Sequence, residues 1–246
     1  EMMARRPKLL GAAHLVATAF LRRKVRDRTL RERIVPSYTI GCKRILISND
    51  WYPALGRDNV HLVTDGIREI REHSIVSADG QEREIDCLIF ATGFYATENP
   101  IADVITGRDG QTLAQAWAEG EEAYLGTTVH GFPNLCFIVG PNTGLGHSSM
   151  VFMIEAQVRY IMGLLDHQAR SGNPVLEVRE AEQARYNREL QGRLAGSIWA
   201  TGCSSWYQHR SGKITALWPG FTFEFWRRTR RFSGAAYRAV PATAKV

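Results

Sequence analysis

Residues 132–165, FPNLCFIVGPNTGLGHSSMVFMIEAQVRYIMGLL, constrain the fold more than any other stretch of the chain. Residues 135–139 form a continuous apolar run of the kind that makes a buried strand. Residues 140–146, GPNTGLG, follow as a loop of residues that permit tight backbone geometry. A long helix is expected from Ser148 or Ser149, with Met150, Ile154, Val158, Ile161 and Leu165 at helical spacing on its buried face. Either serine suits an N-cap, and Glu155 lies early enough to complement the positive helix end. A strand, a glycine turn and a helix start place backbone N–H donors where a polar or anionic ligand can approach. The dinucleotide fingerprint G-x-G-x-x-G is incomplete, because Ser149 stands where the third glycine belongs. The same pattern serves a purely structural connection, so the local sequence leaves both readings open.

The 246 residues suffice for one large domain or two modest ones. A net charge of +6 is compatible with phosphorylated cofactors, although a solvated basic surface needs no function. Cys42, Cys87, Cys136 and Cys203 are widely separated and form no C-x-x-C, which predicts reduced thiols and a cytoplasmic setting. No apolar run spans a bilayer, since Glu155, Gln157 and Arg159 interrupt the longest candidate. No signal-peptide pattern is seen. The chain opens on a basic helix without a first strand, and it is expected to be the later part of a larger architecture. A nucleophilic hydrolase lacks its G-x-S-x-G, and the histidines show no metal-ligand spacing, so no metal site is expected. His147 lies in the central loop, where a role toward a ligand and an ordinary loop position are both open.

Along the chain, residues 9–33 predict an arginine-rich helix whose sparse aromatics argue against single-strand nucleic-acid binding. Residues 38–47 predict a glycine turn, the cations Lys43 and Arg44, and a short strand. Short strands are expected at 59–64, 67–70 and 74–77, and then through 82–92 after the Asp79-Gly80 turn, with a buried run at 87–90. A helix is expected at 113–118, a strand at 124–129 and an amphipathic helix at 177–194. The aromatics Trp199, Trp206, Tyr207 and Trp218 suggest a lid or wall packed on a core. Residues 223–231 predict a basic amphipathic helix, and residues after 233 are expected to fray.

Several segments together resemble one family. GCKR at 41–44, D-x-x-x-x-ATGF at 86–94, FPNLCFIVGPN at 132–142, SWY at 205–207 and LWPG at 217–220 look like the carboxy-terminal half of class B flavoprotein monooxygenases, Baeyer–Villiger branch. The resemblance implies an α/β fold with two dinucleotide-binding, Rossmann-like modules, here incomplete and preceded by a helical N-terminal segment. Residues 1–93 would be the end of an NADPH-binding domain, and residues 94–246 the closing part of an FAD-binding domain with an aromatic lid. The implied reaction inserts one oxygen atom of O2 into a ketone through a C4a-peroxyflavin, or oxygenates nitrogen or sulfur. Its cofactors would be FAD and NADPH, and its substrate a small ketone or soft nucleophile.

By the same resemblance, Arg44 would be catalytic, steadying negative charge on peroxide and carbonyl oxygens with a permanent cation and a fixed donor fork. Lys43 would contact the NADPH 2′-phosphate, and Trp206 would fold over the bound nucleotide from a mobile loop. Gly140, Pro141, Asn142, Ser149 and Met150 would line the flavin ring, with Met150 bordering the substrate. Gly93 belongs to the ATG segment, where the chain would pass back to the FAD module. The family's two phosphate-binding glycine fingerprints and its histidine-centred fingerprint are not in this sequence. A catalytically incomplete chain that pairs with an amino-terminal half is therefore the alternative.

Overall fold

The computed structural model describes residues 10–93, 97, 99–146, 148–172, 174–201 and 205–241. The chain divides into two compact units, one of residues 12–37 and 46–94, the other of residues 1–11, 38–45 and 95–246.

In the smaller unit the expected single helix is two, α1 (Leu10–Lys24) and α2 (Arg28–Ile34). Asp27 causes the break. Its carboxylate accepts the N–H groups of Thr29 at 2.8 Å and Leu30 at 3.4 Å, so it caps α2 and ends the run. A short α3 (Trp51–Leu55) sets Tyr52 6.0 Å from the Phe20 ring. Strands β1 (Ile67–Ile70), β2 (Ser74–Ser77) and β3 (Glu82–Glu84) make an antiparallel sheet in that order. The first two have the expected bounds, with Ile70 opposite Ile75. At the next turn Asp79 accepts from the Ser77 hydroxyl at 2.7 Å and the Gln81 N–H at 3.0 Å, holding the hairpin closed.

Three expected strands are absent. Residues 45–47, 59–64 and 87–90 have no ladder, and Leu46, Ile47 and Ile89 are 82%, 97% and 83% exposed. A buried strand needs a neighbour for its backbone groups and a cover for its faces. Among the described residues these segments have neither.

The larger unit begins with α4 (Leu113–Ala116), started by a reciprocal capping box between Thr112 and Gln115. Strands β4 (Thr128–Val129) and β5 (Phe132–Cys136) pair antiparallel. The expected buried run 135–139 is corrected here. β5 stops at Cys136, while Ile138 and Val139 are exposed and Val139 has a φ of 59°.

Helix α5 (Met150–Arg170) starts where expected, with Ser149 as N-cap residue but without a side-chain capping bond. Its buried face is not the expected one. Met153, Ala156, Gln157, Tyr160 and Leu164 are buried, whereas Val158 and Leu165 are 41% and 48% exposed. The helix carries two apolar stripes, and the stripe through Tyr160 is the one with partners here.

Strand β6 (Val175–Val178) takes the first residues expected for a helix, so α6 runs Glu180–Leu194. After α7 (Ile198–Thr201) comes α8 (Thr222–Thr229), followed by β7 (Tyr237–Val240). The expected fraying after 233 is also corrected, because β7 pairs antiparallel with β6 from Val175 opposite Val240 to Val178 opposite Tyr237. The main core joins Met153, Tyr160 and Leu164 of α5 to Tyr186 and Leu190 of α6, with Trp218, Phe225 and Tyr237.

The cysteine expectation needs one correction. Cys42 is buried and disulfide-bonded, its other half lying outside the described residues, while Cys87 and Cys136 are free. Cysteine usage therefore does not argue for a reducing compartment. No helix among the described residues is long and apolar enough to cross a membrane.

Candidate functional site

The glycine loop is held from behind by residues 214–217. The Asn142 backbone N–H donates to the Thr215 carbonyl at 2.6 Å and that of Gly144 to Ala216 at 2.8 Å. Trp218 returns a bond to the Gly144 carbonyl at 2.9 Å. The Asn142 side-chain amide spends both hydrogens on the carbonyls of Ile214 (2.7 Å) and Leu217 (3.0 Å). Close approach explains the glycine at 144, since a Cβ there would sit 2.5 Å from the Ala216 carbonyl oxygen. At Gly140 it would strike the Gly126 carbonyl. Both glycines thus admit neighbouring backbone, and the loop is a packed shelf more than an open phosphate cradle.

Gln157, buried on α5, ties the turn before β4 to the segment between β5 and this shelf. Its amide nitrogen donates to the Gly126 carbonyl at 2.8 Å, and its oxygen accepts the Val139 N–H at 2.8 Å. A glutamine between Ala156 and Val158 on an apolar helix was its sequence signal, overlooked because it registers only as a polar interruption.

On this shelf lies a cavity of about 460 Å³, wholly within the larger unit. Arg44, Gly140, Pro141, Met150 and Trp206 line it together. Trp117, Phe137 and Leu145 add apolar wall, and Glu121 adds a carboxyl that the motifs did not point to. Trp206 is 48% exposed, and its ring lies 4.3 Å from that of buried Tyr207, the two planes tilted by 39°. Burial raises the Tyr207 phenol above its ordinary value, and the Arg44 guanidinium opposes that rise. Arg44 and Tyr207 are therefore electrostatic neighbours.

Other expected site residues lie elsewhere. Asn142 is buried behind the cavity, where its side chain ties backbone to backbone. Lys43 is exposed with its ammonium 4.8 Å from the Tyr38 ring centre, and it does not line the cavity. Ser149 is exposed at the start of α5. Gly93, in the smaller unit, has a φ of 92°, a conformation natural only to glycine. His147 and residues 94–96 lie outside the described residues. No cluster of metal-binding side chains occurs among the described residues.

An apolar, aromatic-walled cavity with one guanidinium fits a planar ring or a small carbonyl compound beside a developing negative charge. A pocket of about 460 Å³ takes only part of a dinucleotide, and the packed glycine loop offers no cradle for its phosphates. The residues present thus fit the ring end of a flavin or nicotinamide and a substrate. They do not form the whole site for either cofactor.

No protein-family model matches the chain. A Baeyer–Villiger monooxygenase of Pseudomonas aeruginosa is 46% identical over 94% of this chain and 44% of its own length. One from Streptomyces coelicolor is 43% identical over 100% of the chain and 48% of its own. Among solved structures, that of OTEMO in complex with FAD and NADP has a TM-score of 0.82 at 26% identity, over 93% of this chain and 44% of that one. The chain spans about half the length of the curated relatives it matches. Its fold is that of part of a class B flavoprotein monooxygenase, with Rossmann-type modules present only in part. Within that class the chain is a homologue of the Baeyer–Villiger monooxygenases over nearly its whole length.

Proposed function

We propose that this chain supplies the substrate-side, carboxy-terminal half of an FAD- and NADPH-dependent monooxygenase that inserts one atom of O2 into a small ketone. Residues 1–93 would close the NADPH-binding domain, and residues 94–246 would complete the FAD-binding domain. The observation that carries the reading is the convergence of Arg44, Gly140, Pro141, Met150 and Trp206 on one cavity. Bound FAD, reduced by NADPH, would supply the oxygen chemistry. Arg44 would hold the substrate oxygen and stabilise the negative charge that grows on it as the carbonyl is attacked. Arginine suits this role because its charge persists at any working pH and its donors are fixed in a plane. Trp206 would cover the cavity and keep water out, while Met150 and Phe137 shape the apolar end that receives the substrate body. Lys43 would meet the NADPH 2′-phosphate, and Ser149, Asn142 and Gly93 would position backbone near the cofactors. A cytoplasmic location goes with this reading, since NADPH is the reductant. Oxygenation of nitrogen or sulfur is the variant in which a soft nucleophile replaces the ketone.

A second reading is favoured by the exposed apolar runs at 46–47 and 89–90 and by the open stripe of α5. On its own the chain would be catalytically incomplete, acting with an amino-terminal half that covers these surfaces. One experiment separates the readings. The purified chain, with and without the amino-terminal half of the Pseudomonas aeruginosa relative, is mixed with FAD and passed through gel filtration. Flavin absorption that stays with the chain alone supports a self-sufficient half-site. Flavin retained only in the mixture, with ketone-dependent NADPH oxidation that Arg44→Ala removes, supports the paired reading. Absence of flavin and turnover in both samples rejects the monooxygenase assignment.

A further inference from the structure

Two adjacent carboxylates have different fates at the cavity's edge. Glu122 is fully engaged, because Lys213 Nζ lies 2.8 Å from its Oε1 and the Trp117 indole N–H donates to its backbone carbonyl at 2.8 Å. These bonds fix the backbone so that the preceding residue, Glu121, lines the cavity. Other shielded carboxylates of this unit have cations beside them. Glu177 has Arg108 and Arg238, and Glu224 has Arg193. Glu121 has none. Burial pushes its carboxyl above the ordinary value, the Asn99 backbone N–H opposes this in part, and no charged side chain of the described residues contributes. Arg44 shares the cavity but acts on Tyr207 and not on Glu121.

A shielded carboxyl without a cation is costly unless something else brings the charge. We propose that Glu121 is a recognition carboxylate for the ammonium group of an amine-bearing substrate, seated against the Trp117 indole in the cavity that also holds Arg44. The inference rests on the reading of this cavity as the substrate site and narrows its substrate class. A protonated amine gains a charge-assisted hydrogen bond from the carboxylate and a cation–π contact from an indole face. Arg44 repels a cation at its own end, so such a substrate would enter in one orientation, with its oxidisable part toward Arg44. The apolar lining from Phe137 and Leu145 suits a short hydrocarbon body.

The test compares benzylammonium and benzyl alcohol, which share a body and differ in charge, by titration calorimetry on the full 246-residue chain at neutral pH. Wild type should bind benzylammonium the more tightly. Glu121→Gln should weaken benzylammonium by roughly tenfold to a hundredfold and leave benzyl alcohol within about twofold. Glu121→Asp, which keeps the charge, should retain part of the preference, and circular dichroism checks that both variants fold. Equal binding of the two probes to wild type, or a preference that survives in Glu121→Gln, overturns the inference while benzyl alcohol binding preserves the cavity reading. Failure of both probes to bind overturns the inference and the substrate-site reading together.

Discussion

Asn142 is the residue on which the shelf under the cavity most depends, and replacing it separates side-chain from backbone effects. In Asn142→Ala both amide hydrogens disappear. The Ile214 carbonyl keeps a partner, because Gln191 Nε2 also donates to it at 3.0 Å. The Leu217 carbonyl loses its side-chain donor inside the protein, which costs about 1–3 kcal/mol. Asn142 has a φ of 55°, where alanine is strained by roughly 1 kcal/mol more than asparagine. One gain offsets these losses, since Asn142 Oδ1 is buried without a hydrogen-bond partner in the protein and vanishes with the side chain. The net loss is about 2 kcal/mol. Asn142→Gly removes the same hydrogen bonds without the φ penalty, so it should recover roughly 1 kcal/mol of that loss. Asn142→Asp is the harshest change, because it turns a carboxylate oxygen toward two carbonyl oxygens. Urea unfolding of the purified chain, with an unchanged slope, measures all three. Equal stability of the alanine and glycine variants, both within about 0.5 kcal/mol of wild type, would refute the reasoning.

The buried Glu177 carboxyl is raised by burial, but the hydrogen bonds from Arg238 and Arg108, with His130 beside them, more than reverse this and leave it below its ordinary value. Its stabilisation is therefore present above the ordinary carboxylate range and is lost as pH falls through the lowered folded value. Glu177→Gln should cost about 2–4 kcal/mol at neutral pH, and the deficit should shrink on acidification, as followed by thermal unfolding across pH. Leu190→Ala, within the α5–α6 core, should cost about 2–5 kcal/mol in the same assay. Arg44→Ala should lower ketone-dependent NADPH oxidation by the reconstituted enzyme roughly a hundredfold or more while leaving the chain's unfolding midpoint unchanged. Val158→Lys should change the chain's own stability by no more than about 0.5 kcal/mol yet weaken its association with an amino-terminal half, measured by gel filtration of the mixture.

The sequence was most legible where local chemistry decides the outcome. The β1–β2 hairpin followed from β-branched residues around a turn, and the start of α5 from the serines after a glycine loop. The break between α1 and α2 was legible in principle, since Asp27 is a strong cap, but the arginine-rich periodicity on both sides concealed it. The β6–β7 pairing was not legible, because it joins residues 59 to 65 apart in sequence, from Val178 with Tyr237 to Val175 with Val240, and no local signal announces a partner so distant. At the site, Arg44, Trp206 and the glycine loop came from motifs, and the structure brings them together. Glu121 carried no motif, and only the structure separates it, lining the cavity without a cation among the described residues, from Glu122, which Lys213 engages.

The missed strands and the misassigned face of α5 have one physical cause. An apolar pattern records that a segment is to be buried, not what buries it. Residues 45–47 and 87–90 carry the composition of central strands, yet a strand becomes one only when a neighbour takes its N–H and C=O groups. On the expected stripe of α5, Met150, Ile154 and Ile161 are half-buried while Val158 and Leu165 are exposed, and the stripe through Tyr160 is the packed one. Both kinds of surplus apolar surface fit a chain that spans about half the length of its relatives. The excess is specific in place, falling on two would-be strands and one helix face, whereas the cavity beside Arg44 is lined by residues of its own unit. On the proposed reading, catalysis at the Arg44 cavity and pairing through the open α5 stripe are separable, and the Arg44 and Val158 substitutions should affect turnover and association respectively.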